Sequence, residues 1–232
     1  ASDGQAYDSY GWSVCIIEDQ LFVGSVNDAE DGTDAGALYV YEKDINGIWS
    51  NEQKLKPSDG SQENYFGYQI EVFENTLVVS ACGDVNNDPE SGSVYVYEKG
   101  SNGTWGAEQK LTSFDAFKGD WYGKSIDVFE NYLVVGAMKD DDNGENTGIV
   151  FIYKKDDNGV WNFIQKIGAS DAESYDKYGW SVAVFDQHIA VGAYSNEFGP
   201  ESGSVYVYEL DSNGVWGNEQ KIIPPSGLTS MW

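Results

Sequence analysis

The stretch "YGWSV" at residues 10–14 decides the fold, because the chain repeats it in four variants. It returns unchanged at 178–182, and "FGYQI" at 66–70 and "YGKSI" at 122–126 stand between the two copies. The glycines of these stretches follow one another at intervals of 56 residues: Gly11, Gly67, Gly123 and Gly179. A repeat of this length indicates an architecture built from several copies of one structural unit.

Each repeat contains four short segments that have the composition of β-strands. The fourth repeat shows them as "WSVAVF" (180–185), "HIAVGA" (188–193), "GSVYVYEL" (203–210) and "WGNEQKI" (216–222). The turn "DQ" joins the first two segments, and "SNG" precedes the last one with a strong hairpin signal. The alternation "VYVY" has large side chains on both faces, so each unit needs a neighbour on either side. The sequence therefore predicts an all-β fold, a β-propeller of four antiparallel four-stranded blades.

The repeat boundaries divide the chain into four blades within a single domain, 1–232. We expect blades at 8–56, 57–112, 113–168 and 169–223, followed by a C-terminal tail at 224–232. A closed ring of four blades would require blade four to pack against blade one. Two alternatives stay open: the four blades are part of a larger ring, or two chains form an eight-blade ring.

The charge balance of the chain excludes some partners. There are 39 acidic residues and 13 basic ones, all lysine, which gives a net charge of −26. Such a surface repels nucleic acid and anionic membranes, and it lacks the arginine that best binds phosphate. A cation, a neutral glycan or a basic protein is a better partner. No apolar run approaches the roughly 20 residues that a membrane-spanning helix needs.

Two stretches carry a resemblance to a known family. "YFGYQIEVFENTLVVSA" with "SGSVYVYEK", and "KYGWSVAVFDQHIAVGA" with "SGSVYVYEL", resemble the FG-GAP repeats of integrin α-subunit propellers and related surface proteins. The resemblance implies an extracellular or cell-surface location and a role in adhesion, protein recognition or glycan binding. The sequon Asn102-Gly103-Thr104 is compatible with secretion. Many repeats of the family have a calcium loop between strands one and two, but here that turn has only two residues, so we expect no calcium there.

Long acidic connections between strands two and three occupy 26–36, 82–92, 138–148 and 194–203. Because these connections emerge on one side of a propeller, we predict that this side is the functional face. Calcium takes about six to eight oxygen ligands, and three of the connections offer oxygens at alternate positions. The candidate calcium ligands are Asp28, Glu30 and Asp34; Asp84, Asn86 and Asp88; and Asp140, Asp142 and Asn146. Solvated acidic loops without a metal are the alternative.

Aromatic residues just before the first strands are candidates for a ligand site on the same face. Flat apolar rings beside Asp and Asn oxygens suit a sugar. The candidates are Tyr7, Tyr10, Trp121 and Tyr175. Trp12, Tyr68 and Trp180 follow the repeated glycine and share the apolar parity of the strand, so we expect these three in the core.

The first strands also bring Glu71 and Asp127 into or beside the central channel of a propeller. There the two acids would hold an ion, act as an acid–base pair or stay hydrated, and we favour hydrated acids. The single histidine, His188, starts a second strand, and no Gly-rich phosphate loop is present. We therefore predict no enzymatic activity, with an acid-dependent hydrolase using Glu71 and Asp127 as a remote alternative. Cys15 and Cys82 occupy different repeats at unequal positions, which favours free thiols over a disulfide.

These observations favour a non-catalytic extracellular recognition or adhesion module that binds glycan or protein through the loop face. The alternative is a structural brick, a propeller that assembles with copies of itself into a filament, a coat or a larger adhesin. Sugar binding by a monomer would favour the first function. Assemblies of several copies that bind no sugar would favour the second.

Overall fold

The computed structural model describes residues 1–84, 90–114, 119–195 and 202–224. Within these ranges the chain forms sixteen strands and no helix. In chain order the strands are β1 (Tyr10–Ile17), β2 (Gln20–Ser25), β3 (Ala37–Lys43), β4 (Trp49–Leu55), β5 (Ile70–Phe73), β6 (Thr76–Ala81), β7 (Ser93–Lys99), β8 (Trp105–Leu111), β9 (Tyr122–Phe129), β10 (Tyr132–Ala137), β11 (Ile149–Lys155), β12 (Trp161–Ile167), β13 (Tyr178–Phe185), β14 (His188–Ala193), β15 (Ser204–Leu210) and β16 (Trp216–Ile222).

The strands form four sheets of four antiparallel strands, and each sheet keeps the chain order. In blade one, β1 pairs with β2, β2 with β3, and β3 with β4. Ile17 faces Gln20 across the first turn, which leaves only two residues in the connection, as the sequence predicts. Glu18 in this turn has a φ of 49°, a left-handed conformation that tight hairpin turns require. The predicted fold class is confirmed.

Successive blades pack face to face through their apolar side chains. We call the face toward the next blade the leading face and the face toward the previous blade the trailing face. Phe22, Leu38 and Val40 on the leading face of blade one contact the trailing face of blade two. Equivalent cores lie between blades two and three and between blades three and four. Burial of both faces of a sheet explains why each third strand has large apolar or aromatic side chains at successive positions.

The repeated glycines meet where two blades touch. Gly67 has a φ of +90°, and its carbonyl oxygen accepts a hydrogen bond from Ser13 Oγ of blade one at 2.6 Å. A Cβ on Gly24 would lie 2.3 Å from that same oxygen. Ser125 and Gly136 of blade three approach the carbonyl of Gly179 in the same way. The repeated motif therefore specifies the contact between neighbouring blades.

A glutamine on the fourth strand of blades one, two and three adds a second repeated link between blades. Gln53 donates to the carbonyl of Trp105 at 2.9 Å and accepts from its amide at 3.2 Å. Gln109 binds Trp161 in the same way, and so does Gln165 with Trp216. Each pair of bonds satisfies the backbone of one residue and fixes the position of one blade on the next.

The array of blades has two uncovered ends. Val14 and Ile16 on the trailing face of blade one are 67% and 63% exposed. Val205 and Ile222 on the leading face of blade four are 40% and 49% exposed. In the part of the chain that the structure describes, blade four does not cover blade one. The closing contact that a ring of four blades would need is therefore missing from the described residues.

Candidate functional site on the loop face

The loop face contains the connections between second and third strands together with the segments that precede the first strands. A residue in the left-handed region bends each of these segments just before its strand: Ser9, Tyr65, Trp121 and Lys177 have φ values of 55°, 54°, 55° and 56°. Residues other than glycine adopt this backbone conformation at a cost in free energy, so neighbouring contacts must hold them there. This bend places Trp121 beside the loops of blade two.

A pocket of about 300 Å³ opens on this face among blades one, two and three. Four aromatic side chains contribute to its wall: Trp12, Tyr65, Tyr68 and Trp121. The remaining lining residues are Val26, Asn27, Cys82, Gly83 and Glu90. The pocket thus combines flat apolar surface with a few polar groups, as small-ligand sites commonly do.

The aromatic side chains of this face form a belt with lysines between them. The rings of Trp12 and Tyr68 are 5.6 Å apart between centroids. Lys124 donates a hydrogen bond to the Tyr68 hydroxyl and lies over the ring of Trp180 at 5.3 Å. Trp180 in turn stacks on Tyr194 at 4.6 Å. We call this set the aromatic–lysine belt, and it runs from blade one to blade four.

One hydrogen bond and two lysine contacts fix the orientation of the Trp121 side chain in the pocket. Its Nε1 donates to Glu90 Oε2 at 3.3 Å. Lys139 lies over its ring at 4.0 Å and Lys124 at 5.5 Å. Contacts between a cation and an aromatic ring are worth about 0.5–2 kcal/mol. The indole is therefore oriented before any ligand arrives.

Of the four aromatic residues predicted for the ligand site, only Trp121 lines the pocket. Tyr7 and Tyr175 are exposed, and each has a left-handed backbone with φ values of 77° and 71°. The Tyr10 hydroxyl donates a hydrogen bond of 3.0 Å to the Tyr41 hydroxyl at the uncovered end of blade one. These three residues lie apart from the pocket walls.

The expectation that Trp12, Tyr68 and Trp180 belong to the core is wrong. Trp12 and Trp180 are 54% and 37% exposed, and Tyr68 is half-buried at the pocket. One signal in the sequence points to this result. The equivalent residue of the third repeat is Lys124, and lysine is almost never fully buried, so this register of the strand belongs to the surface.

The acidic loop of blade one surrounds a lysine. Lys54 Nζ lies 2.9 Å from Asp28 Oδ2, 2.8 Å from Glu30 Oε2 and 2.6 Å from Asp3 Oδ2. The hydroxyl of Tyr39 donates to Asp28 at 2.7 Å. Burial alone would raise the pKa of Asp28, but hydrogen bonds from Lys54 and Tyr39 hold that pKa below its usual value. The ammonium group thus occupies the position that a bound cation would take.

The other described loops repeat this arrangement. Lys110 lies 2.7 Å from Asp84, and Lys166 contacts both Asp140 and Asp142. Two of the predicted ligands that the structure describes do not take part in these ion pairs. Asp34 accepts a hydrogen bond from Asn27, and the backbone amide of Asn146 donates to Asp141. Asn86 and Asp88 lie outside the described residues.

Across the described residues, no three Asp, Glu, His or Cys side chains gather in a way that would hold a metal ion. In the loops described above, a lysine ammonium group already lies among the carboxylates, at the place where a metal ion would bind. Calcium binding by these loops stays a prediction, and a calcium ion would have to displace an ammonium group.

Glu71 and Asp127 lie on the first strands of blades two and three, where both are partly buried. Asp127 accepts a hydrogen bond from the amide of Val184 at 2.6 Å and links blade three to blade four. Burial raises the pKa of Asp127. Burial, followed by the charge of Asp127, raises the pKa of Glu71 to about 7, against a weaker lowering by Gln69.

The pKa of Glu71 predicts a pH-dependent loss of stability. Because the folded pKa lies above the ordinary value of 4.5, the folded state binds more protons, and its stability falls as pH rises from about 4.5 to about 7. After a discount for partial exposure, we expect Glu71→Gln to gain about 1–2 kcal/mol at about pH 8 and nothing at about pH 4. Urea unfolding at both pH values measures this gain.

The control for Glu71→Gln is Glu74→Gln, which removes the same charge at an exposed turn. We expect this control to change the free energy of unfolding by less than about 0.5 kcal/mol at either pH. Equal gains from both variants would contradict the prediction, because they would reflect the net charge alone.

The remaining reactive side chains have no catalytic arrangement in the described residues. Cys15 and Cys82 are free thiols, as expected. Burial raises the pKa of Cys82 to about 12, so this pocket residue is protonated at neutral pH. His188 is exposed and lies 3.9 Å from Glu209.

Four stacked antiparallel sheets, linked by one repeated glycine contact, define a β-propeller repeat protein. The sequence profile of the FG-GAP repeat matches residues 1–41, 49–97, 105–153 and 161–208. The chain therefore belongs to the FG-GAP repeat family. Such repeats typically occur in extracellular proteins. No significant match to a curated protein was found. Among the described residues, no helix has the length and apolar character to cross a membrane.

Proposed function

We propose that this chain is an extracellular recognition module that binds a glycan through the pocket of the loop face. The observation that supports the proposal is the pocket itself, with four aromatic side chains on its wall and the oriented indole of Trp121 among them. Sugar rings stack their apolar faces on such side chains and pair their hydroxyl groups with polar neighbours. An extracellular protein that inserts a polar loop is the alternative ligand of the same face.

Two lysines that contact Trp121 narrow the class of glycan. Lys124 and Lys139 lie over Trp121 and supply ammonium donors at the rim of the pocket. Although the chain as a whole carries a charge of −26 and Glu90 lines the pocket, these two ammonium groups favour glycans that bear carboxylate or sulfate groups. The proposed ligand is therefore a glycan with acidic substituents, bound in an aromatic pocket.

The proposed module is not an enzyme. FG-GAP propellers are generally non-enzymatic, which supports this part of the proposal. Asp127 already accepts hydrogen bonds from two backbone amides, and Glu71 accepts one from Gln69. These bonds give the two acids a structural role within and between blades.

A glycan array that contains neutral and acidic sugars tests the proposal. We expect specific binding, and we expect Trp121→Ala to weaken it about tenfold or more because the oriented ring carries the stacking contact. Lys124→Met should reduce the preference for acidic over neutral glycans. The matched control is Lys43→Met, at the far end of β3 beside Asp19, which should leave binding unchanged. A sugar-blind wild-type protein, or equal binding by Trp121→Ala, would refute the proposal.

The structural brick remains a second candidate function because of one observation. The two ends of the blade array expose apolar side chains whose counterparts are mostly buried between blades. These end faces do not belong to the pocket, and a recognition module can also assemble through them.

A further inference from the structure

The trailing face of blade one has the composition of an interface that lacks its partner. Val14 is 67% exposed, whereas its counterparts Ile70 and Ile126 are 4% and 0% exposed. Ile16 is 63% exposed, whereas its counterparts Val128 and Val184 are 5% and 4% exposed. All of these residues are β-branched and aliphatic, and in the described structure the exposed copies differ from the buried ones in having no blade packed against them.

The leading face of blade four shows the same difference. Val205 is 40% exposed, and its counterparts Val94 and Val150 are fully buried. Ile222 is 49% exposed, and its counterparts Leu111 and Ile167 are 6% and 8% exposed. Three phenylalanine rings follow one another across blades two, three and four. The centroids of Phe73 and Phe129 are 5.0 Å apart, and those of Phe129 and Phe185 are 4.7 Å apart. Phe185 is the last ring of this row and is exposed.

The polar links between blades are also present as two separate halves. Gln220 is the fourth copy of the glutamine that binds the backbone of a tryptophan in the next blade, and it is exposed. The matching backbone is that of Trp49 in blade one. Ser181 is likewise the counterpart of Ser13 and Ser125, and Gly11 offers the matching carbonyl group.

We propose that the leading face of blade four binds the trailing face of blade one of a second copy of this chain. The argument is continuity with the interface already formed three times within the chain, because each end face carries one half of that interface. The contact is heterologous, with different residues on its two sides. Such contacts close into rings when the rotation allows and otherwise extend into filaments.

The charges of the two faces are compatible with this contact. Most residues that would meet are apolar or neutral, with Glu209 beside Val207 as a charged residue of the leading face, and the acidic groups of the chain lie mainly in loops and turns. The net charge of −26 opposes the approach of two copies over a distance. Added salt screens that repulsion and should strengthen the association.

Two variants that each block one face test the proposal. Val14→Asp places a charge on the trailing face, and Val205→Asp places one on the leading face. Both positions are exposed in a single copy, so neither variant should disturb the fold, which circular dichroism verifies. Ile45→Asp is the matched control, because Ile45 is fully exposed in the turn between β3 and β4.

Sedimentation velocity over a wide dilution series, in salt, measures the association. We expect wild type and Ile45→Asp to form dimers or longer assemblies, and each face variant to weaken association about 30-fold or more. An equimolar mixture of the two face variants should form a 1:1 heterodimer, since one intact face of each remains. A monomeric wild type at all concentrations, or self-association of Val205→Asp as strong as wild type, would overturn the proposal.

Discussion

Gly148→Ala should destabilise the protein by about 3–5 kcal/mol, the largest effect that we expect from a single methyl group. Gly148 precedes β11 and has a φ of +80°, where a Cβ is strained. A Cβ there would lie 2.0 Å from the carbonyl oxygen of Tyr178 in the next blade. Because the obstacle is backbone, blades three and four would have to move apart and lose apolar contact. Urea unfolding followed by tryptophan fluorescence measures the loss.

Gly214→Ala is the control that separates the contact from the backbone strain. Gly214 has nearly the same φ, +79°, but a Cβ there would meet no atom within 4 Å. We expect this variant to lose only about 1 kcal/mol, the usual cost of an alanine in the left-handed region. Equal losses in the two variants would show that the contact with Tyr178 carries no energy.

The close backbone contact of Gly148 recurs at the equivalent glycines of blades one and two but not of blade four. Gly36 and Gly92 approach Phe66 and Tyr122 as Gly148 approaches Tyr178, with Cβ positions 2.2 Å and 2.1 Å from a carbonyl oxygen. Gly203, the copy in blade four, would meet no atom closer than 3.4 Å. The fourth glycine thus keeps the conformation without the contact, as expected for a blade whose leading face is uncovered.

The fold could be predicted because its determinants are local and recur four times. The spacing of Gly11 and its copies indicates the repeat, and the two-residue turns indicate the hairpins. The uncovered ends could not be predicted from these letters. "YGWSV" occurs at both 10–14 and 178–182, yet Tyr178 is fully buried and Tyr10 is exposed, because in the described structure a neighbouring blade packs on that side only against the second copy.

The site was predictable only in part, since its contacts join residues from distant segments. The position of Trp121 before a strand predicts a site residue, whereas Trp12 follows the apolar parity that usually marks a core residue. The spacing of the loop carboxylates predicts cation ligands, and the cation in the structure is a lysine from the fourth strand. Lys54, Lys110, Lys166 and Lys221 recur at nearly the repeat interval, and this was the available signal.

Lys54→Met should cost about 3 kcal/mol at neutral pH, because it leaves the buried carboxylate of Asp28 without its counterion. Methionine keeps the apolar stem of lysine, so the loss is mainly electrostatic. Hydrogen bonds from Lys54 lower the pKa of Asp3, and those from Lys54 and Tyr39 lower the pKa of Asp28 despite its burial. Folded pKa values below the ordinary 3.8 stabilise the protein above that pH and no longer do so as pH falls through them. The difference between variant and wild type should therefore shrink in acid.

The control for Lys54→Met is Lys43→Met, which removes an exposed lysine at 3.8 Å from Asp19. Exposed pairs contribute about 0–1 kcal/mol, so this variant should unfold at nearly the same urea concentration as wild type. Equal losses in the two lysine variants, or a difference that persists undiminished at low pH, would contradict the role of Lys54.

The same pair of variants tests the calcium prediction. If calcium binds the loop of Asp28, Ca²⁺ should raise the Tm of Lys54→Met more than that of wild type, because no ammonium group competes with the ion.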